Sequence, residues 1–210
     1  MNLDPEHAER CNQFSSACWE RYNDIANSRW DPLRERLRYI VAHVEKIPVI
    51  DVGCAEGTTC VLLARAGFTD ITGVDIAMSR LEQAREILLG EPPEVAERIQ
   101  WRMTWAENLP FQSMEFATAI VSETLEHVLN VEEVVQEVDR VLCPNGRIVV
   151  SVPFKGKTSE LHLRKFNTPE EVTRLFPTSY DWREWKVIEH LPKPKAWLVG
   201  YGDKGDDLCT

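Results

Sequence analysis

Three ionisable residues stand close together in the stretch VSETLEHVLN: Glu123, Glu126 and His127. They occupy positions i, i+3 and i+4, which share one face of a helical turn. Two carboxylates and an imidazole grouped in this way suit a divalent cation, Mg2+ or another. Without a metal, His127 is a candidate general base or orienting group, since an imidazole titrates near pH ~6.5. A third reading is structural: a glutamate in a first helical turn answers the helix dipole. These three residues form the candidate catalytic group. They directly follow EFATAIVS, an apolar run that reads as a strand, so they belong at that strand's tip.

A second chemical signal lies in VIDVGCAEGTTC, residues 49–60. An apolar run ends in Asp51, Gly53 and Gly57 bracket three residues, and TTCVLLAR follows with helical spacing. Strand, glycine turn and helix in succession bring backbone close to a nucleotide. A dinucleotide fingerprint needs G-x-G-x-x-G; here the middle position is Ala55 and the last glycine comes one residue early. A Walker-type loop needs Lys followed by Ser or Thr after its last glycine, and Thr58 and Thr59 stand there instead. The ligand is therefore not dominated by phosphate. GVDI then ends in Asp75, a carboxylate at the next strand's tip that can accept from both ribose hydroxyls. A nucleoside fits, and S-adenosylmethionine fits well, because acidic surroundings suit its sulfonium better than a pyrophosphate.

The elements that must position these groups alternate. PVIDVG, DITGVDI, RIQWRMT, EFATAIVS and the run after PNG read as strands. TTCVLLARAG, SRLEQAREILLG and VEEVVQEVDRVL read as helices, the last with Val131, Val134, Val135, Val138 and Val141 on one side. Strands alternating with helices predict a parallel sheet covered on both faces. DWREWKVIEHL and KAWLVGYG near the end read as a hairpin-like pair, which puts the last strand antiparallel at or near the sheet edge. Residues 1–46 read as a helical cap. Within it Leu33, Leu37, Ile40, Val41 and Val44 recur at helical spacing, and Asp31-Pro32 reads as cap and first turn. Residues 47–202 form the main domain and 203–210 a loosely held tail.

Composition bounds the rest. The 210 residues suffice for one domain with a sizeable core. No apolar run approaches a membrane span, and the polar, acidic N-terminus is not a signal peptide, so the expected location is the cytoplasm. Six scattered cysteines form no CxxC pair, which speaks against a cysteine zinc site and for free thiols. A net charge of -10 weighs against non-specific nucleic-acid binding, although residues 151–200 carry roughly +3.

From Val49 to Val152 the chain resembles the class I S-adenosylmethionine-dependent methyltransferases. The resemblance is carried by VIDVGCAEGTTCVLLARAG, ITGVDIAMSRLEQAR, AENLPF and VSETLEHVLNVEEVVQEVDRVLCPNGRIVVSVP, in the family's order. It implies an α/β, Rossmann-like, seven-stranded and mostly parallel sheet with one antiparallel strand in the edge region, and helices on both faces. It implies that Asp51, Gly53, Cys54 and Gly57 line the methionine end of the cofactor. Asp75 would hold the ribose with Ile76 beside adenine, Ala106 and Glu107 would border the adenine ring, and Ser122 would sit at the fourth strand's tip. Ala55 replaces a common glycine. Trp105 stands where relatives carry an aspartate, so either Glu107 takes the adenine amino group or that contact is weaker. The E-x-x-E-H pattern resembles two branches: ubiquinone-biosynthesis O-methyltransferases and small-RNA 3′-end 2′-O-methyltransferases. In both, the implied metal lowers the pKa of the attacked oxygen. His162 is a further candidate ligand on the resemblance to the RNA branch.

Phe14, Trp19, Tyr22 and Trp30 are candidates for a lid over a planar acceptor, and Phe154, Lys155, His162 and Arg164 for the acceptor side. Trp182, Trp185 and Trp197 are assigned to the strand core or an interface. The expected activity is methylation of a small, catechol-like molecule. RNA ribose methylation and a non-catalytic cofactor-binding protein are the alternatives. The acceptor atom and oligomeric state stay open.

Overall fold

The structure is a computed structural model that describes residues 4–13, 17–155, 161–190 and 195–206. One sheet of seven strands organises it: β1 (Val49–Val52), β2 (Ile71–Asp75), β3 (Ile99–Met103), β4 (Phe116–Ser122), β5 (Leu142–Phe154), β6 (Asp181–His190) and β7 (Lys195–Asp203). Their spatial order is β3-β2-β1-β4-β5-β7-β6. β1 pairs in parallel with β2 and β4, and β7 pairs antiparallel with both β5 and β6. The antiparallel strand expected near the edge is thus β7, one place in from it.

Successive strand residues face opposite sides of a sheet, and the core divides accordingly. Ile50, Val52, Ala119, Val121, Ile148 and Val150 pack on one face with the valines of α7 (Val131–Val141). Val49, Ile120 and Val149 pack on the other with α3 (Asp31–His43), α4 (Thr58–Arg65) and α5 (Met78–Leu89). All five α7 valines predicted to share a side are buried. α6 (Pro93–Ala96) and α8 (Pro169–Thr173) complete these layers. α6 has no counterpart in the sequence reading, because four residues are too few for helical periodicity to show.

The N-terminal region contains α1 (Pro5–Gln13), α2 (Cys18–Asn23), a 3-10 turn (Ser28–Trp30) and α3. α3 is no detachable cap: Ile40 and Val44 belong to the sheet's core, and Tyr39 packs on Ile188 and Val199. Asp31 does not cap α3 but lies inside its first turn, where its carboxylate meets Arg34 at 2.7 Å. Residues 203–205, assigned to the tail, are held in place. Asp203 ends β7, Lys204 donates its backbone N–H to Gly146, and Gly205 donates to Ser179. Residues 207–210 lie outside the described residues.

Glycine decides how closely β2 and the turn after β1 approach β3. A Cβ on Gly73 would stand 2.4 Å from Trp101 Cζ3 and 3.0 Å from Cys54 Sγ, and one on Gly57 would stand 2.2 Å from Trp101 Cη2. The indole of Trp101 therefore fills the space that two missing side chains leave. Gly73→Ala is expected to overpack this contact and cost about 1–3 kcal/mol in urea unfolding. Adding Trp101→Leu should return part of that loss; an unchanged midpoint for Gly73→Ala alone would refute the close packing.

Candidate active site

The chain leaves β1 towards β2 and β3 on one side and returns to β4 and β5 on the other. Such a reversal opens a crevice beyond the carboxyl ends of the strands. Here it is a cavity of about 920 Å³, running from Thr104–Glu107 past Asp75 and the 53–56 turn to Ser122–Val128, with His7 and Cys11 of α1 also on its wall.

The turn after β1 is tied to β2. The N–H groups of Gly53 and Cys54 both donate to Val74 O, at 2.8 and 2.9 Å. Gly53 has φ +77°, and a Cβ there would lie 2.4 Å from Thr124 Oγ1. Thr124 itself donates to Val52 O at 2.8 Å, which binds the turn after β4 to the end of β1. Asp75 accepts from Ala55 N and Ala77 N, both at 2.8 Å, one on each carboxylate oxygen. Each oxygen keeps acceptor capacity for a ligand hydroxyl. Glu56 is buried on the cavity wall and accepts from Cys18 N at 2.5 Å and Trp19 N at 3.2 Å at the start of α2.

The opposite end of the cavity is acidic. Residues 123–129 are not helical; Glu123 has φ +55° and a tight turn follows. The shared helical face is therefore replaced by two separate arrangements. Glu123 points to Arg36 Nη1 (3.2 Å), Trp197 Nε1 (2.8 Å) and Ser151 Oγ (3.2 Å). Glu126, His127 and His162 converge, with ligand atoms within 4.8 Å of one another. Glu126 is 1% exposed, and neither carboxylate oxygen meets a hydrogen-bond donor among the described residues. Burial, then the neighbouring Glu123 charge, pushes its carboxyl well above the usual range. Burial also pushes Glu123 up, against the pull of Arg36 and Trp197. His127 Nδ1 lies 3.1 Å from Leu161 O, an arrangement that makes Nδ1 the protonated nitrogen and leaves the lone pair on Nε2, 3.8 Å from Glu126. Burial, then His162, lowers the His127 pKa to about 4, so the ring is neutral at pH 7.

A methyltransferase domain family matches residues 50–150. The chain is 28% identical over 187 residues to the ubiquinone biosynthesis O-methyltransferase of Neisseria meningitidis serogroup A, covering 82% of this chain and 76% of the relative. It is 31% identical over 159 residues to the protein of that name from Paracidovorax citrulli, covering 71% of this chain but 62% of the relative, less than two thirds of its length. This chain is a class I S-adenosylmethionine-dependent methyltransferase. Its fold is also that of the Burkholderia thailandensis 1,6-didemethyltoxoflavin-N1-methyltransferase crystallised with S-adenosylhomocysteine, with TM-score 0.72, 16% identity, and coverage of 98% and 92% of the two chains.

In this methyltransferase the cavity wall includes Asp51, Gly53, Cys54, Asp75, Ile76, Ala106, Glu107, Ser122, Glu123, Glu126, His127 and His162, all singled out by sequence. Gly57 is not on the wall; it seats Trp101. Six described residues assigned to the acceptor, Trp19, Tyr22, Trp30, Phe154, Lys155 and Arg164, do not line the cavity. Trp30 lies between the guanidiniums of Arg21 and Arg29, at 5.0 and 5.3 Å. Tyr22 lies on the partly exposed surface of α2, and Phe154 is packed into the core. Arg164 is a clamp, donating to Leu125 O, Val128 O and Leu129 O at 2.6, 2.5 and 3.2 Å. Phe14 lies outside the described residues. Trp182 and Trp185 stack on one another beside Phe176.

Sequence reasoning missed Arg36, Trp197 and His7. Arg36 is 7% exposed, lines the cavity and lies over the Trp197 ring at 4.8 Å. A signal existed, since Leu33, Arg36, Leu37 and Ile40 share one helical stripe and a guanidinium on an apolar stripe needs a reason to be there.

Asp51 supplies a prediction. Burial raises its pKa to about 7, against ~3.9 in an unfolded chain. The folded protein thus keeps a proton the unfolded chain releases, and this advantage is lost as pH rises from about 4 to about 7. In ligand-free protein, the stability of Asp51→Asn minus that of the parent should grow over this window and level off above it. Urea unfolding from pH 5 to 8 measures the difference, and a flat difference would contradict the buried, protonated carboxyl.

Proposed function

We propose that this methyltransferase methylates an oxygen of a small molecule bearing neighbouring hydroxyls, assisted by a divalent cation at Glu126, His127 and His162. The observation that carries this reading is the buried Glu126 carboxylate, without a donor and beside two imidazoles, in the same cavity as the glycine turn and Asp75. A buried carboxylate in that state needs a proton or a cation. The names of the O-methyltransferase relatives support the reaction class. A cavity of about 920 Å³ has the size of a small-molecule site. Two imidazoles with one carboxylate suit first-row transition ions better than Mg2+, which prefers oxygen ligands.

The chain's residues then divide the work. Asp75 would accept from the ribose, while Ile76, Ala106 and Glu107 would border adenine, with Trp105 beside them. Asp51 would take the cofactor's ammonium, and Arg36, whose Nε meets no acceptor among the described residues, would take its carboxylate. Gly53 and Cys54 supply close backbone, and Ser122 and Glu123 bound the reacting end. A bound ion would hold neighbouring acceptor oxygens and favour loss of the proton from the one attacked. His127, with pKa about 4, is a poor base for a hydroxyl proton. It serves better by presenting the Nε2 lone pair in an orientation fixed through Leu161. Transfer itself is an in-line displacement from a good leaving group, so alignment of the reactants is the protein's main contribution.

The test measures S-adenosylhomocysteine release with catechols, phenols and short RNAs, with added Mg2+, Mn2+ or Zn2+ and with EDTA. Catechol turnover that EDTA abolishes and a transition ion restores is expected. Turnover of RNA alone, or catechol turnover indifferent to EDTA, would overturn the acceptor or the metal assignment respectively. Arg36→Met should weaken S-adenosylhomocysteine binding about tenfold or more by calorimetry, the scale of one charge-assisted hydrogen bond.

A further inference from the structure

We propose that Arg164 is a positioning residue that brings together the two halves of the Glu126–His127–His162 group. The three side chains come from two stretches of chain: Glu126 and His127 from the turn after β4, His162 from the segment after β5. They meet closely, with the two imidazoles edge to face and their centroids 4.8 Å apart. Arg164 grips the turn on both sides of its ligands. Its Nη1 donates to Leu125 O, just before Glu126, and to Val128 O, just after His127, at 2.6 and 2.5 Å. Its Nη2 donates to Leu129 O at 3.2 Å. The neighbouring Leu163 N donates to Glu126 O at 2.7 Å. A guanidinium presents its donors in a rigid planar fork, so carbonyls gathered on it are fixed relative to one another.

The grip works against a fixed point. Two residues on from Arg164, Phe166 is buried in the core and bridges Phe154 at the end of β5. Thr168 then caps α8, its side chain accepting from Glu171 N. The segment is thus anchored on its far side. Arg164 passes that anchorage to the turn, and His162, two residues earlier, is carried to His127. Arg164 does not line the cavity, so it acts through these residues and not on a bound molecule. The cofactor half of the site is held by other means: Asp75 accepts from Ala55 N and Ala77 N, and the glycine turn donates to Val74 O. Loss of the guanidinium therefore loosens the metal-binding half and leaves the cofactor half in place.

This inference rests on the cation proposed above. The test compares the full-length parent with Arg164→Met, which keeps an apolar stem without donors, and Arg164→Lys, whose single ammonium answers only part of the carbonyls. Calorimetry with Mn2+ alone and with S-adenosylhomocysteine alone gives the first readout. Mn2+ affinity should fall about tenfold to a hundredfold in Arg164→Met, the range for a residue that orients metal ligands, with S-adenosylhomocysteine affinity little changed. Lysine should recover part of the loss. Parent-like Mn2+ affinity in Arg164→Met, or equal losses for both ligands, would overturn the role. The second readout is hydrogen exchange at the Leu163 amide in ligand-free protein, which should quicken in Arg164→Met and slow again in Arg164→Lys. If methionine prevents folding, lysine against parent carries both comparisons, with a loss of about threefold in Mn2+ affinity expected, the scale of a weak hydrogen bond. If the parent binds no Mn2+, the cation assignment fails, while Leu163 exchange still decides whether Arg164 joins the two stretches: no change in either variant overturns it.

Discussion

The reversal of strand order between β1 and β4 is the constraint on which the rest depends. Parallel strands present their carboxyl ends to one rim, and only where neighbouring connections diverge does that rim stay open. The ends of β1, β2 and β4 meet at this gap. Asp51, Asp75 and Ser122 therefore come together although they are spread over seventy residues of sequence. The glycine turn, the packing of Trp101 and the bond from Thr124 to Val52 all hold these three strand ends at fixed separations.

What the gap encloses is a set of carboxyls in poor contact with water. Burial raises the pKa of Asp51, Asp75, Glu123 and Glu126 alike. Such groups are costly to ionise alone and cheap to ionise beside a cation. The ligand-free protein thus holds an electrostatic cost that a positively charged ligand relieves. A sulfonium cofactor with an ammonium group matches this environment, whereas a pyrophosphate would meet repulsion.

The fold was legible because its elements are long and regular. The apolar runs of β1, β4 and β5 and the valine stripe of α7 leave little room for another assignment. The cavity's strand, glycine turn and helix, with Asp75 at the tip of the next strand, were legible for a related reason: such a succession has few uses. The acceptor side was not. Spacing of i, i+3 and i+4 fits both a helix and a tight turn, and Glu123's left-handed backbone cannot be read from its type. Tyr22 and Trp30 looked like a lid because aromatics near an active site do so until packing shows which way they face. His7 was invisible, since its burial depends on α1 lying across a cavity built from residues far along the chain.

The direction of β7 has a consequence of its own. Because β7 runs against its neighbours, its beginning, not its end, lies at the crevice, and Ala196 and Trp197 reach the cavity beside Pro153 and Phe154. Part of the cavity wall is thereby borrowed from a hairpin that takes no part in the β1–β2–β4 junction. A change at Trp197 would therefore be felt well beyond the hairpin, because its ring underlies Arg36 and its N–H holds Glu123.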